Sequence, residues 1–270
     1  MNDQAPPKET LLYVYAVVRS AGTGGGPPPV SGDTLGSGLT TVEHRGLTAV
    51  VEPVPAADFD EAPLRAHLED LDWLAEVARA HHAVVASAGR QTTTVPLRLA
   101  TVCRGEQGVR RLLDEGARDL TETLDRLTGV HEWGVKLYVD EPADRTATPA
   151  TAPAAAPDSG RDYLRRRLGE QRARRNADDT AARTARQLHE VLARAAVDAV
   201  LHPPQQARLS RAPGRNVLNA AYLVPDERQR EFLDAIPPVE EQHPGLRLET
   251  TGPWVPYSFA RTASGGGPER

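Results

Sequence analysis

Leu11-Leu12-Tyr13-Val14-Tyr15-Ala16-Val17-Val18 is the stretch on which the fold class turns. It is continuously apolar, rich in β-branched and aromatic side chains, and is ended by Arg19 and Ser20. A short apolar run without alternation is the pattern of a central strand rather than an edge. Downstream, Thr40–Glu43 and Leu47–Val51 flank His44-Arg45-Gly46, two β-prone runs around a glycine-bearing turn, which predicts a hairpin. From Leu64, apolar residues recur at steps of three and four through Leu68, Leu71, Leu74, His81 and Val84, predicting one amphipathic helix or two in tandem. Val95–Val102 reads as a strand. Gly105–Leu127 returns to helical spacing, and Trp133–Val139 is again a strand.

That order predicts an α+β chain whose N-terminal part, residues 11–140, is a ferredoxin-like layer of mostly antiparallel sheet with helices on one face. The opposite sheet face is then open. Residues 1–10 are polar and expected to be disordered, and the Ala-, Thr- and Pro-rich stretch 141–157 reads as a linker. A second α+β domain, 158–262, opens on the N-cap candidates Asp158 and Ser159. About forty proline-free residues follow before Pro203-Pro204, enough for a helix of roughly 60 Å. A helix so long must project, pair, or break near Asn176–Thr180. Strands are expected near 207–211, 217–224 and 246–250, a helix near 225–236, and a disordered glycine-rich tail over 263–270.

Composition narrows the function. The chain has 270 residues, 39% hydrophobic and 26% charged, with a formal charge of −5. Of 32 basic residues only Lys8 and Lys136 are lysine, an arginine excess spread over the whole chain that reads as compositional bias, and the charge difference between the two halves of the chain is too small to argue for a nucleic-acid surface. Cys103 stands alone, so no disulfide framework or zinc spacing exists. The N-terminus lacks the order of a signal peptide and no apolar run is long enough to span a bilayer. The expected compartment is the cytoplasm.

Motifs for catalysis fail one by one. The loop Gly22–Pro27 follows a strand, but a dinucleotide site needs glycine where Pro27 stands, and a phosphate loop needs a following Lys-Ser/Thr. His81 and His82 are adjacent on a helix and diverge by about 100°, unlike metal-binding pairs three or four apart; His81 sits on the apolar stripe and reads as a satisfied core or interface histidine. Cys103 has no base assigned to it, and carboxylates such as Glu69, Asp70, Asp72 and Glu76 decorate helical faces. No catalytic, cofactor or metal residues are therefore assigned. Two features remain. Arg161–Arg175 holds seven arginines, either a solvated helix face or a site for an acidic partner or nucleic acid. Gly252-Pro253-Trp254-Val255-Pro256-Tyr257-Ser258-Phe259 gathers three of the twelve aromatics, suited to closing a core or to meeting a partner.

That last segment resembles the terminal signature of the gas vesicle protein F/L family, which usually reads Gly-Pro-Trp-Pro-Pro-Tyr-Ser-Phe; Val255 departs from it. Further marks follow in order: Tyr13-Val14-Tyr15, Gly46–Val51, His81 or His82, Val95-Pro96-Leu97-Arg98-Leu99-Ala100-Thr101, Glu132–Lys136, Tyr163-Leu164-Arg166-Arg167 and Asn219–Val224. Where Leu99-Ala100 stand, the family usually has Phe-Gly. The resemblance spans residues 11–260. It implies a two-domain, non-enzymatic accessory protein of gas vesicle assembly, whose partners are the small amphipathic main shell subunit and other gas vesicle accessory proteins, without membrane or nucleic acid. Candidate contact residues are Tyr13 and Tyr15, if the sheet face is open, with Arg98, Trp254, Tyr257 and Phe259. The rivals from the residues alone are binding through the arginine helix 161–175 and an enzyme whose site is built from common residues.

Overall fold

The computed structural model describes residues 10–21, 34–36, 38–140, 160–204 and 214–260. The expected linker 141–157, the glycine loop, the strand near 207–211, most of the N-terminal stretch and the glycine-rich tail lie outside these residues. The chain divides into two compact units, one of residues 1–131 with 254–270, the other of residues 132–253.

In the first unit, β1 (Leu11–Arg19) pairs antiparallel with β3 (Leu47–Val54) on one side. On its other side it pairs with two short strands, β4 (Thr94–Pro96) and β5 (Val102–Arg104). β2 (Thr40–His44) closes the sheet against β3. The hairpin turns on Arg45 and Gly46, both at positive φ (48° and 77°), the two-residue geometry that matches strand twist. The run Val95–Val102 is therefore two strands rather than one, separated by the Leu97–Thr101 turn.

Helices α1 (Ala56–Phe59), α2 (Glu61–His67) and α3 (Leu71–Gly89) follow β3. The tandem break is made by Asp70, whose side chain accepts from the Asp72 and Trp73 amides and caps α3. Val77, Val84 and Val85 of α3 share a core with Leu11, Tyr13 and Tyr15. Helices α4 (Gly105–Glu115) and α5 (Ala117–Arg126) also pack on β1, through a different set of buried residues that includes Val109, Leu113, Leu120 and Leu124. All eight residues Leu11–Val18 are buried. The sheet thus carries helices on both faces, and the open face expected of a ferredoxin-like N-terminal layer is absent. An eight-residue run with no polar position needs an apolar environment on both sides, and both helical layers supply it.

The strand Trp133–Val139, expected in the N-terminal domain, belongs instead to the second sheet. There β6 (Val130–Val139), β7 (Asp198–Leu201), β8 (Arg215–Pro225) and β9 (Leu246–Trp254) take the order β7-β8-β6-β9. The boundary accordingly falls near residue 131, not 140. With α6 (Gly160–Ala195) after β6, and a 3-10 turn (Asp226–Arg228), α7 (Gln229–Asp234) and α8 (Val239–Gln242) after β8, the second unit runs strand–helix–strand–strand–helix–strand. This is the split βαβ connectivity that the sequence reading had placed in the first unit. Alternate residues Trp133, Val135 and Leu137 of β6 and Leu218, Ala220, Tyr222 and Val224 of β8 join Leu188, Leu192 and Phe232 in its core.

Helix α6 does not break near Asn176–Thr180. Its 36 residues make a rod of about 54 Å. It ends at Ala195, short of Pro203, because the β-branched and apolar residues of 198–201 pair with β8. Burial along α6 begins only at Ala181, and the described side chains from Arg161 to Asp179 are exposed.

Candidate functional site

The first unit contains an open cleft of about 1110 Å³ at the β4 edge of its sheet, walled by α3, α5, the Pro96–Leu99 segment and the terminal segment carrying Tyr257 and Ala260. Each wall is placed by its own local sequence. α3 brings His81 and His82 on successive positions, so the first faces the core and the second is exposed. The turn after β4 leaves Arg98 and Leu99 exposed at the mouth. From α5, Asp119, Glu122 and Arg126 project toward solvent. The mouth therefore combines apolar edges with charges of both signs.

The terminal segment is strapped onto this unit at several points. Val255 lies against Gly89 of α3 so closely that a Cβ there would meet Val255 Cγ2 at 2.2 Å. His82 meets the Trp254 ring edge-on at 5.5 Å and stacks on Tyr257 at 6.1 Å. Phe259 is buried, and its carbonyl accepts a hydrogen bond from the Arg126 guanidinium. Trp254 and Tyr257 are 42% and 36% exposed. The two readings of this segment are thus divided between its residues: Phe259 closes a core, while Trp254 and Tyr257 offer ring surface to solvent.

Beneath the cleft, His81 is 3% exposed. Its Nδ1 lies 2.9 Å from the Tyr13 hydroxyl, whose oxygen already accepts the Ala100 amide at 3.0 Å. The hydroxyl keeps one proton and a second lone pair, so the direction of its bond to Nδ1 follows the imidazole tautomer. Burial lowers the His81 pKa to about 4 and raises that of Tyr13 to about 12, so both are neutral near pH 7. The buried Nε2 has no hydrogen-bond partner among the described residues. The backbone of Leu97 lies beside the same ring and partly offsets the effect of burial on it.

Of the residues singled out by sequence, Arg98 and Tyr257 line this cleft and Trp254 stands beside it. Tyr13 and Tyr15 do not offer a surface: both are 0% exposed, on a strand whose two sides are paired and whose two faces are covered. Tyr13 reaches the cleft only through His81. Sequence reading missed Glu52, which is fully buried and accepts from the Tyr15 hydroxyl and from the Leu35, Gly36 and Gly38 amides. Its one visible signal was a carboxylate inside the apolar strand Leu47–Val54. Cys103 sits half-buried on β5, with its thiol pKa raised by burial, the opposite of an activated nucleophile. Among the described residues no cluster of His, Cys, Asp and Glu is arranged to hold a metal ion, and no helix is long and apolar enough to cross a membrane.

The family model for the gas vesicle synthesis protein GvpL/GvpF matches residues 11–261. The chain belongs to that family. It is 48% identical to gas vesicle protein L of a Streptomyces species over 264 residues, covering 94% of each chain. To gas vesicle protein F1 of Halobacterium salinarum it is 24% identical, covering 92% of each. The crystal structure of GvpF from an Anabaena species superposes with a TM-score of 0.61 at 19% identity, over 96% of this chain and 100% of that one. GvpF from Microcystis aeruginosa gives 0.60 at 18%, over 93% and 99%. Those two likenesses establish the shared α+β fold; the family membership establishes a role in gas vesicles.

Proposed function

We propose that this family member is a non-enzymatic assembly factor that holds the main gas vesicle shell subunit, with other accessory proteins, and that the first-unit cleft is the holding surface. The observation that carries the reading is the cleft itself. It is large and open, is lined by the exposed side chains of Leu99 and Tyr257, and has the exposed ring of Trp254 at its margin against His82. A small shell subunit with a strongly apolar face needs cover before it enters the shell, because exposed apolar patches associate indiscriminately. Aromatic lips supply contact area at low conformational cost. Arg98 at the mouth and the carboxylates of α5 then set orientation more than affinity.

Co-expression with the cognate shell subunit tests this. The parent chain should keep the subunit in solution and co-purify with it. A Leu99→Ser, Tyr257→Ala double variant, altered only at exposed positions, should lose the complex while retaining the parental melting temperature. If the double variant holds the subunit as well as the parent does, the cleft is not the holding surface. If the parent fails to hold it while accessory proteins of the same gene cluster do, the shell-holding role falls.

A further inference from the structure

The N-terminal half of α6 has a face that neither the second-unit core nor the cleft accounts for. At about 100° per residue, the buried positions Ala181, Ala185, Leu188 and Leu192 form one stripe, which seats the C-terminal half of the helix on its sheet. Leu164 and Leu168 do not continue that stripe. They are one turn apart, 59% and 52% exposed, and turned about 100° away from it. Arg161, Arg172 and Arg175 fall within about 80° of Leu164 on the same side, all exposed. Within 161–175 every charged position on this face is arginine; the exposed Asp178, which pairs with Arg215, and Asp179 end the basic stretch about one turn further on.

We infer that this face docks an acidic amphipathic helix of a partner protein, leucine seam against leucine seam with glutamate or aspartate opposite the arginines. Charge decides the occupant. A parallel second copy would set arginine against arginine, and an antiparallel one, with Leu164 opposite Leu168, would set Gln171 and Gly160 opposite Arg161 and Arg172, so neither supplies the acidic groups that the arginines call for. Nucleic acid would use the arginines but press two leucines against phosphates, with no aromatic ring in the seam to stack on a base. Two leucines are too few to sink a helix into a membrane interface. An acidic helix satisfies both parts of the pattern at once: apolar seam to apolar seam, and flanking charge to opposite charge, as in helix pairs whose flanks select partners. Gly169, with open space around its Cα, makes this stretch a weak helix on its own, so that a partner lying along it also firms the helix.

The test uses the full chain and four fluorescent probes. They are two designed peptides with the same leucine seam, one flanked by glutamate and one by lysine, a mixed-sequence DNA duplex, and phosphatidylglycerol vesicles. The glutamate peptide should bind at least about tenfold tighter than the lysine peptide. Leu164→Ser with Leu168→Ser should weaken it by about tenfold, and Arg172→Glu with Arg175→Glu should transfer the preference to the lysine peptide. That transfer is a gain of binding, which a misfolded variant does not produce. Equal binding of the two peptides, indifference to the leucine pair, or a preference for DNA or vesicles over the glutamate peptide each overturns the inference. None of these results depends on the cleft.

Discussion

The Tyr15 hydroxyl donates to Glu52 Oε2 at 2.7 Å in an interior where both residues are 0% exposed. The same carboxylate collects the amides of Leu35, Gly36 and Gly38 at 2.8, 2.9 and 3.0 Å, so one buried charge pins the chain before β2 onto β3. The approach is close enough that a Cβ on Gly36 would lie 2.1 Å from the Pro53 carbonyl oxygen. Burial and the Glu52 charge raise the Tyr15 pKa well beyond its ordinary value, keeping the hydroxyl a donor at every physiological pH.

Removing that carboxylate strands four donors. Glu52→Ala should destabilise the first unit by about 3–5 kcal/mol, because several buried or half-buried donors lose their acceptor at once. Tyr15→Phe, which removes a single donor, should cost about 1–2 kcal/mol. Urea unfolding measures both. Amide exchange gives the local signature: Leu35, Gly36 and Gly38 should lose protection in Glu52→Gln, before the rest of the unit does.

His81 makes stability depend on pH. Its unfolded value is 6.5 and its folded value is about 4 because burial disfavours the imidazolium. Between those values the unfolded chain binds more protons, so stability is fully present above pH 6.5 and is lost as pH falls toward 4, by at most about 3 kcal/mol. His81→Gln removes the titration. The gap in melting temperature between parent and variant should therefore shrink from pH 7 to pH 5, and a constant gap would refute the linkage.

The terminal aromatics should separate by burial. Phe259→Ala should cost about 3 kcal/mol, as for truncation of a buried ring, whereas Trp254→Ala, at a ring 42% exposed, should cost about 1 kcal/mol or less. Thermal melting of the two variants reads the contrast. Equal losses would mean that Trp254 is a core residue after all.

Ala100 occupies φ +62°, the left-handed region that glycine enters freely. Its amide holds the Tyr13 hydroxyl there. Ala100→Gly relieves the Cβ strain but enlarges the unfolded ensemble, and the net gain should be about 0.5–1 kcal/mol, seen as a raised melting temperature.

Helix α6 should show a gradient. Amides from about 164 to 178, where described side chains are exposed, should exchange faster than those from 185 to 195, which ride on the core. Gly169→Ala should raise protection in the first segment by about 1 kcal/mol and leave the second unchanged. Uniform exchange along the rod would show that something other than side-chain burial holds the outer half.

Much of this was legible from local pattern. Leu11–Val18 required a central strand because no position in it tolerates water, Arg45-Gly46 marked a tight hairpin, and three- and four-residue spacing located α3 through α5. The terminal aromatic motif was visible as a cluster, though its division into buried Phe259 and exposed Trp254 and Tyr257 was not. Residues 198–201 were hidden inside a helical composition, because Ala-Val-Leu sequences suit either state and only pairing with β8 decides between them.

By itself the sequence determined the kinds of elements and most of their order, the absence of a recognisable catalytic motif, and, through spaced motifs from Tyr13 to Phe259, the family. Those are properties of neighbours a few residues apart, where propensity and periodicity act directly. Tertiary structure alone decided that helices cover both faces of the first sheet, withdrawing Tyr13 and Tyr15 from solvent. It alone assigned Trp133–Val139 to the second sheet, and set His81 against Tyr13 and Glu52 against Tyr15 across separations of 68 and 37 residues. Such pairings depend on which apolar surfaces find one another when the chain closes, and a buried polar group is tolerated only where that closure happens to bring it a partner.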